Sequence, residues 1–300
     1  MMLAGWLLGL AMQAPGYGGG VVDMEQVRPV LLLYGFLFSL GLALDIYLLV
    51  RFIQQPAVWV RKINRLLWRP WGLADVLFIV LVLAVMHLFV LGIVRAVQAT
   101  GWLDGFEERY LWVVVHSVVL HWAVIVVVLL RAVYRNISWQ AGFSYGRATP
   151  GSDFFKGLAA YVAAVPVLVF YAAMYHVWLQ WSGHEPAPQD AVRLFAELEA
   201  GWMFFYFIFL AVVVAPVAEE LLFRGILLPA LGRRWGMGAA IMISSVLFAF
   251  MHFHVPSLVP LFVFSIALSL AYVYTESIIV PIVMHMLFNA VSLSVMMLIG

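Results

Sequence analysis

The chain has 300 residues, of which 66% are hydrophobic and only 10% are charged, and its formal net charge is +1. An ordinary soluble domain has about 45–50% apolar and about 25% charged residues, so this composition indicates a membrane protein. The near-neutral charge shows no basic excess of the kind that binds nucleic acid. The absence of cysteine excludes disulfides, a thiol nucleophile and a cysteine-ligated zinc site.

The N-terminus contains a short apolar run, Leu3 to Met12, which is followed by Pro15 and a glycine-rich stretch at 16–20. This run is short for a membrane span and lacks the positive flank of a signal peptide. We therefore expect residues 1–28 to form an arm that is disordered or lies on the membrane surface.

The rest of the chain is a succession of apolar segments, and a spanning helix needs about 20 such residues. The candidate spans are 30–50, 72–94, 110–130, 157–179, 201–231, 237–253, 257–275 and 278–298. Alternating apolar and polar residues, typical of barrel strands, are absent from the sequence. The fold prediction is therefore all-α, a polytopic transmembrane helix bundle of about eight spanning helices. Pro216 and Pro229 are expected to kink the long fifth span.

The loops between these segments alternate in charge. The basic loops are 51–71 and 131–156, and the more acidic ones are 95–109 and 180–200. Arg233 and Arg234 mark a further basic turn. Because basic loops are typical of the cytoplasmic side, the sequence predicts that the basic loops lie inside and the N-terminus outside.

Three ionisable residues interrupt span 201–231: Glu219, Glu220 and Arg224. Each costs roughly 2.5–3.5 kcal/mol on insertion scales, so function is the default explanation. In a helix, Glu220 and Arg224 are four residues apart on one face and can pair. Glu219 points about 100° away from Glu220. A buried ion pair that fixes helix packing is the alternative for Glu220 and Arg224.

Two later spans carry further polar residues. His252 follows Phe248 by four residues near the end of span 237–253. His285 and Asn289 are again four apart, so one face of the last helix presents both. Other histidines lie in apolar segments without acidic company and are predicted to be ordinary bundle residues: His87, His116, His121 and His176. Asp45 and Asp75 are isolated acids near helix ends, for which we predict structural or snorkelling roles.

The spacing of Glu219 and His252 indicates that they lie at the same depth. The turn 232–236 lies midway between them, with Glu219 16 residues before Trp235 and His252 17 residues after it. In an antiparallel hairpin with a rise of about 1.5 Å per residue, the two side chains are level to within a few Å. We therefore expect a site at which Glu219, His252, His285 and Asn289 converge inside the membrane.

The three motifs, Glu219-Glu220-x-x-x-Arg224, Phe248-x-x-x-His252 and His285-x-x-x-Asn289, resemble those of the CAAX protease and bacteriocin-processing (CPBP, or Abi) family. That family consists of intramembrane endopeptidases and includes the eukaryotic type II CAAX prenyl proteases and bacterial proteins similar to lysostaphin resistance protein A. The resemblance covers roughly residues 151–300 and implies that they form a catalytic membrane domain. Residues 29–150 are then N-terminal transmembrane helices that precede this domain in the chain.

The resemblance implies a role for each motif residue. Glu219 matches the catalytic glutamate, the general base that deprotonates a water for attack on a peptide carbonyl. His252, His285 and Asn289 match the other polar residues that line the family's active site. The supporting positions are Glu220, Arg224 and Phe248.

The sequence leaves open whether a metal takes part. Glu219, His252 and His285 would provide the three protein ligands of an open catalytic Zn²⁺ site. The His-Glu-x-x-His spacing of soluble zinc proteases is absent, so a metal-free glutamate mechanism is an equal alternative. In that mechanism the histidines and Asn289 orient the water or stabilise the oxyanion.

The resemblance implies a substrate that is a membrane-associated or lipidated peptide or protein, with the lipid bilayer as the surrounding partner. We expect an integral, multi-pass protein of a prokaryotic plasma membrane. Two other functions remain as alternatives. One is a proton-coupled secondary transporter, since polar residues at mid-membrane would suit a carrier. The other is a catalytically inactive membrane scaffold or immunity protein.

Overall fold

A computed structural model describes residues 24–101, 115, 121–144, 149–183 and 201–299. Several sequence predictions lie wholly or mostly outside these residues: the N-terminal arm as far as residue 23, the acidic loops at 102–109 and 184–200, the first half of span 110–130, and His116.

Within the described residues the chain is helical between short turns, with only a single β-bridge, between Ser144 and Ser277. The helices are α1 (Met24–Gln54), α2 (Pro56–Leu67), α3 (Leu73–Gln98), α4 (Ala123–Tyr134), α5 (Pro150–Trp181), α6 (Trp202–Trp235), α7 (Met237–Phe250), α8 (Leu258–Thr275) and α9 (Ile279–Ile299). Five of them contain a stretch long and apolar enough to cross a membrane (α1, α3, α5, α6 and α8), and α4, α7 and α9 are shorter apolar helices. The all-α membrane bundle predicted from the sequence is therefore confirmed.

Helix α2 occupies most of the basic loop predicted at 51–71. It begins at Pro56, whose fixed φ and missing N–H suit the first turn of a helix. Its Trp59 ring lies 5.2 Å from that of Tyr274 at the end of α8, and its Lys62 ammonium donates to the Tyr274 carbonyl. The loop is thus a short helix held against one end of the bundle.

The basic segments gather at this end, as the alternation of loop charges predicted. The guanidinium of Arg69 is buried and donates to the carbonyls of Gln140, Ala141 and Glu276. Arg233 donates to the carbonyl of Arg69, which joins the α6–α7 turn to the same cluster. Burial raises the pKa of the Glu276 carboxyl, while the surrounding cations oppose that shift. We call this end of the bundle, defined by Arg69, Arg233 and Glu276, the basic end.

A buried carboxylate fixes α4 against α3 at this end. Asp75 is only 3% exposed, and its two oxygens accept from Arg131 Nε at 3.0 Å and from Arg135 at 2.6 Å. Asp75 also accepts from the backbone N–H of Gly72 at the start of α3. Asp75 is therefore not the isolated acid that the sequence indicated. Of the two predicted roles it has the structural one and does not snorkel, and its ion pairs set the depth of α4 relative to α3.

Replacing Asp75 with Asn is expected to lower the free energy of unfolding by about 1.5–3 kcal/mol, because both arginines lose their anionic acceptor. The measurement is a denaturant titration of the protein in detergent micelles. Asp45→Asn is the matched control, since Asp45 is half-buried on α1 and takes no part in these pairs. Equal stability of the two variants would contradict the structural role of Asp75.

The main apolar core packs around α6. It includes Ile226 and Leu228 of α6 together with Phe248 of α7 and Tyr272 of α8, all fully buried. Gly225 allows α6 to approach its neighbours, because a Cβ atom there would lie only 2.9 Å from the Phe143 ring. The polar segment of α6 is therefore surrounded by packed side chains rather than placed at the edge of the bundle.

Candidate active site

The backbone of α6 changes its helical type twice around the glutamates. Two π-helical segments, Leu210–Val214 and Leu221–Leu227, flank the α-helical segment Ala215–Glu220. Pro216 and Pro229 are each the second residue of the α-helical segment that follows a π-helical one. A π-helical segment, of a kind that occurs frequently at functional sites, therefore directly precedes the α-helical segment of each proline. The kink predicted at each proline stays a prediction.

Asn289 compensates for a hydrogen bond that Pro216 cannot make. In the first π-helical segment the N–H of Ala215 donates to the carbonyl of Leu210, five residues earlier. The next bond in that register would join residue 216 to the Ala211 carbonyl, but proline has no N–H. Asn289 Nδ2 on α9 donates to that carbonyl instead, at 2.8 Å. The predicted site residue Asn289 therefore lies against α6, and its second N–H is not used by this bond.

Glu220 and Arg224 form the intrahelical pair expected from their spacing. Both are completely buried, and Arg224 Nη1 donates to Glu220 Oε1 at 2.9 Å. Arg224 Nη2 donates to the carbonyl and hydroxyl of Ser265 on α8, at 3.0 and 2.6 Å. The guanidinium carbon lies 4.7 Å from the centre of the Phe248 ring. The pair therefore ties α6 to both α7 and α8.

His285 joins this pair to Glu219. Its Nδ1 lies 2.9 Å from Glu220 Oε1, and its Nε2 lies 4.0 Å from Glu219 Oε2. The Glu220 carboxylate, which is paired with Arg224, can only accept hydrogen bonds. The proton is therefore assigned to Nδ1 of His285. In the neutral imidazole, Nε2 is then an acceptor directed towards Glu219. The His285 ring also packs edge to face on those of Phe248 and Phe264.

His252 lies in the turn beyond α7, which ends at Phe250, rather than in the last turn of a span as the sequence predicted. Its Nδ1 is 2.8 Å from the carbonyl of Phe248, so it carries the proton and Nε2 is again left as an acceptor. His252 interacts electrostatically with Glu219. Phe248 is fully buried, and its ring lies 4.9 Å from the His252 ring.

His121 is a site residue that the sequence analysis missed. Its Nε2 lies 3.8 Å from Glu219 Oε1, so the prediction that this histidine has no acidic neighbour is wrong. It precedes α4 and comes from the N-terminal half of the chain, where no motif drew attention to it. Its presence places three imidazoles, those of His121, His252 and His285, around one carboxylate.

Glu219 differs from Glu220 in its access to solvent. The side chain of Glu219 is 21% exposed, whereas that of Glu220 is 0% exposed. Within the described part of the chain, Glu219 Oε2 is buried but accepts no hydrogen bond. A buried carboxylate oxygen of this kind requires a water or ligand donor. Among the described residues Glu220 Oε2 is buried without a hydrogen bond as well, but Glu220 is fully enclosed and its Oε1 is bound by Arg224 and His285. Glu219 is partly exposed, so it is the carboxylate that can bind and deprotonate a water.

The predicted metal ligands do not form a ligand group as they stand. Across the described residues, no three or more His, Asp or Glu side chains are spaced to hold a metal ion. Two ligands of one zinc ion lie about 2.0–2.2 Å from it, which brings them closer together than the 4.0 Å between His285 Nε2 and Glu219 Oε2. The chemistry below is therefore derived from the side chains alone.

Fold and site together define an integral membrane helix bundle with a carboxylate–imidazole cluster inside it. Residues 201–291 match the family described as type II CAAX prenyl endopeptidase, Rce1-like. The matched segment contains all three motifs, which confirms the resemblance predicted from them. No curated protein and no solved structure matches the chain.

Proposed function

We propose that the protein is an intramembrane endopeptidase that hydrolyses a peptide bond of a membrane-associated or lipidated substrate with a water activated by Glu219. The observation that supports this proposal most strongly is the partly exposed carboxylate of Glu219, whose Oε2 accepts no hydrogen bond from the described residues and lies 4.0 Å from the His285 imidazole. The family of the matched segment supports the same reaction class.

The reaction proceeds in two steps. Glu219 removes a proton from the water, and the hydroxide oxygen bonds to the carbonyl carbon of the scissile peptide. The resulting tetrahedral intermediate carries an oxyanion. When its C–N bond breaks, the proton held by Glu219 passes to the departing amine. The products are a carboxylic acid and an amine, and Glu219 returns to its ionised state.

The histidines and Asn289 have different roles because of their hydrogen bonds. With Nδ1 as the donor, His252 and His285 each present an Nε2 lone pair. One of the two accepts the water proton that Glu219 does not take, and so orients the attacking water. Asn289 retains one N–H for the oxyanion after its bond to Ala211, and such a donor is worth about 2.7–4 kcal/mol. We propose that Glu220, Arg224 and Phe248 support the site by fixing His285 and His252.

Chelation is expected to leave the cleavage rate unchanged, because Glu219 activates water without a metal in this mechanism. The measurement is the initial rate of the purified protein before and after treatment with 1,10-phenanthroline and dialysis, together with its zinc content. A soluble zinc protease treated in parallel controls for effective chelation. Loss of activity that zinc restores would contradict the metal-free mechanism and favour Glu219, His252 and His285 as ligands.

The substrate can be sought by comparing membrane proteomes of cells that produce the wild type or Glu219→Gln. New N-termini in membrane proteins or lipidated peptides are expected with the wild type alone. We place the protein in a prokaryotic plasma membrane, where such substrates include secreted peptides and other membrane proteins. Proton-linked uptake by reconstituted vesicles without any cleavage would favour the transporter instead. Identical proteomes would favour the inactive scaffold or immunity protein.

A further inference from the structure

We propose that His121 is a positioning residue of the active site, which holds one oxygen of Glu219 so that the other faces His285 and the reacting water. This inference rests on the proposed endopeptidase function and extends it to a residue outside the matched segment 201–291. It assigns the N-terminal half of the chain a part in the chemistry.

Each carboxylate oxygen of Glu219 lies beside a different histidine. Oε1 lies 3.8 Å from His121 Nε2, while Oε2 lies 4.0 Å from His285 Nε2. An imidazole beside each oxygen favours one orientation of the carboxylate about its terminal torsion, which is otherwise broad. Both distances exceed a direct hydrogen bond, so each leaves room for a bridging water or for closure when substrate binds.

The contact with His121 follows from the packing of α4 beside α6. His121 precedes Arg135 by 14 residues, and Glu219 precedes Arg233 by the same number. Arg135 donates to the carbonyl of Pro70 and Arg233 to that of Arg69, so both arginines are fixed at the basic end. At about 1.5 Å per residue, 14 residues of α-helix correspond to about 21 Å. The π-helical segment Leu221–Leu227 makes the distance along α6 somewhat shorter, so the two site residues lie at a similar depth.

The ion pairs of Asp75 reinforce this register. Arg131 lies in the last turn of α4 and Arg135 directly follows the helix, and both bind the one buried carboxylate. Helix α4 therefore cannot slide along its axis without breaking them. Among the described residues, the buried Nδ1 of His121 has no hydrogen-bond partner, which leaves Glu219 as the polar group that its imidazole faces. A histidine that served only to fill space would not need its imidazole to face a carboxylate.

The test uses the full-length protein in nanodiscs and a panel of quenched-fluorescence peptides, half farnesylated and half without lipid. The peptide that the wild type cleaves fastest is the probe. His121→Ala is expected to reduce kcat about 10–100-fold with KM unchanged, the effect typical of residues that orient a catalytic ligand. His121→Gln is expected to restore most of the rate, because its Nε2 can donate from a position near that of the imidazole Nε2. His176→Ala is the matched control and is expected to retain the wild-type rate, because the His176 imidazole is hydrogen-bonded to Gln180 on the same helix, α5.

A double-mutant cycle distinguishes positioning from general support of the fold. In the Glu219→Gln background, His121→Ala is expected to cause no further loss, because the group that it positions is gone. If His121→Ala does not fold, His121→Asn replaces it, since asparagine can donate only near the Nδ1 position and should be impaired. Full activity of His121→Ala, or additive losses in the cycle, would overturn the role of His121 while leaving the endopeptidase intact. Equal cleavage by the wild type and Glu219→Gln would instead overturn the proposed function.

Discussion

Replacing Glu219 with Gln is expected to reduce kcat for peptide cleavage by about 10²–10⁴-fold, the contribution typical of a general base. The amide keeps the size of the side chain and can still accept a hydrogen bond, but it cannot take a proton from water. KM is expected to change little, because the substrate contacts no group that has been removed. The measurement is steady-state cleavage of the same peptide by both purified proteins.

The stability of this variant separates catalysis from folding. Glu219 makes no buried ion pair of the kind that joins Glu220 to Arg224, so Glu219→Gln should unfold at the wild-type denaturant concentration. Asp45→Asn, which also neutralises an acid in a membrane helix, is the matched control and should retain full activity. A Glu219→Gln protein that is folded and cleaves at the wild-type rate would eliminate Glu219 as the base.

The part of the site that lies within one helix was predictable from the sequence. The helical period of 3.6 residues puts Glu220 and Arg224 on one face of the helix and Glu219 on another. In the structure Arg224 Nη1 lies 2.9 Å from Glu220 Oε1. The mirror spacing about the α6–α7 turn predicted the depth of His252. It did not predict the direction in which the side chain points, because α7 ends two residues earlier at Phe250.

Contacts between helices that are distant in sequence were harder to predict. His285 and Asn289 share one face of α9, but they meet different parts of α6, Glu220 and Ala211. The two prolines indicated an irregular α6, but they did not predict its π-helical segments or the free Ala211 carbonyl that Asn289 binds. His121 was missed for a related reason. Its equal spacing from a basic-end arginine was present in the sequence, but the pairing of α4 with α6 is decided by packing.

Replacing Arg224 with Met is expected to lower the free energy of unfolding by about 3–5 kcal/mol, the largest stability effect that the structure predicts. The variant leaves the Glu220 carboxylate fully buried with only His285 as a partner, and it removes both bonds to Ser265. The methionine side chain fills much of the same volume, so the loss comes from the unpaired charge rather than from a cavity. The free energy of unfolding is measured by denaturant titration of both proteins in detergent micelles.

Arg234→Met is the matched control, because Arg234 is exposed at the α6–α7 turn and its replacement should change stability by no more than about 0.5 kcal/mol. Adding Glu220→Gln to Arg224→Met is expected to recover part of the lost stability, since the double variant no longer buries an uncompensated charge. The recovered protein should still cleave slowly, because the carboxylate that fixes His285 Nδ1 has gone. If Arg224→Met is as stable as Arg234→Met, the buried pair does not hold α6 to α8, and the orientation of His285 must have another cause.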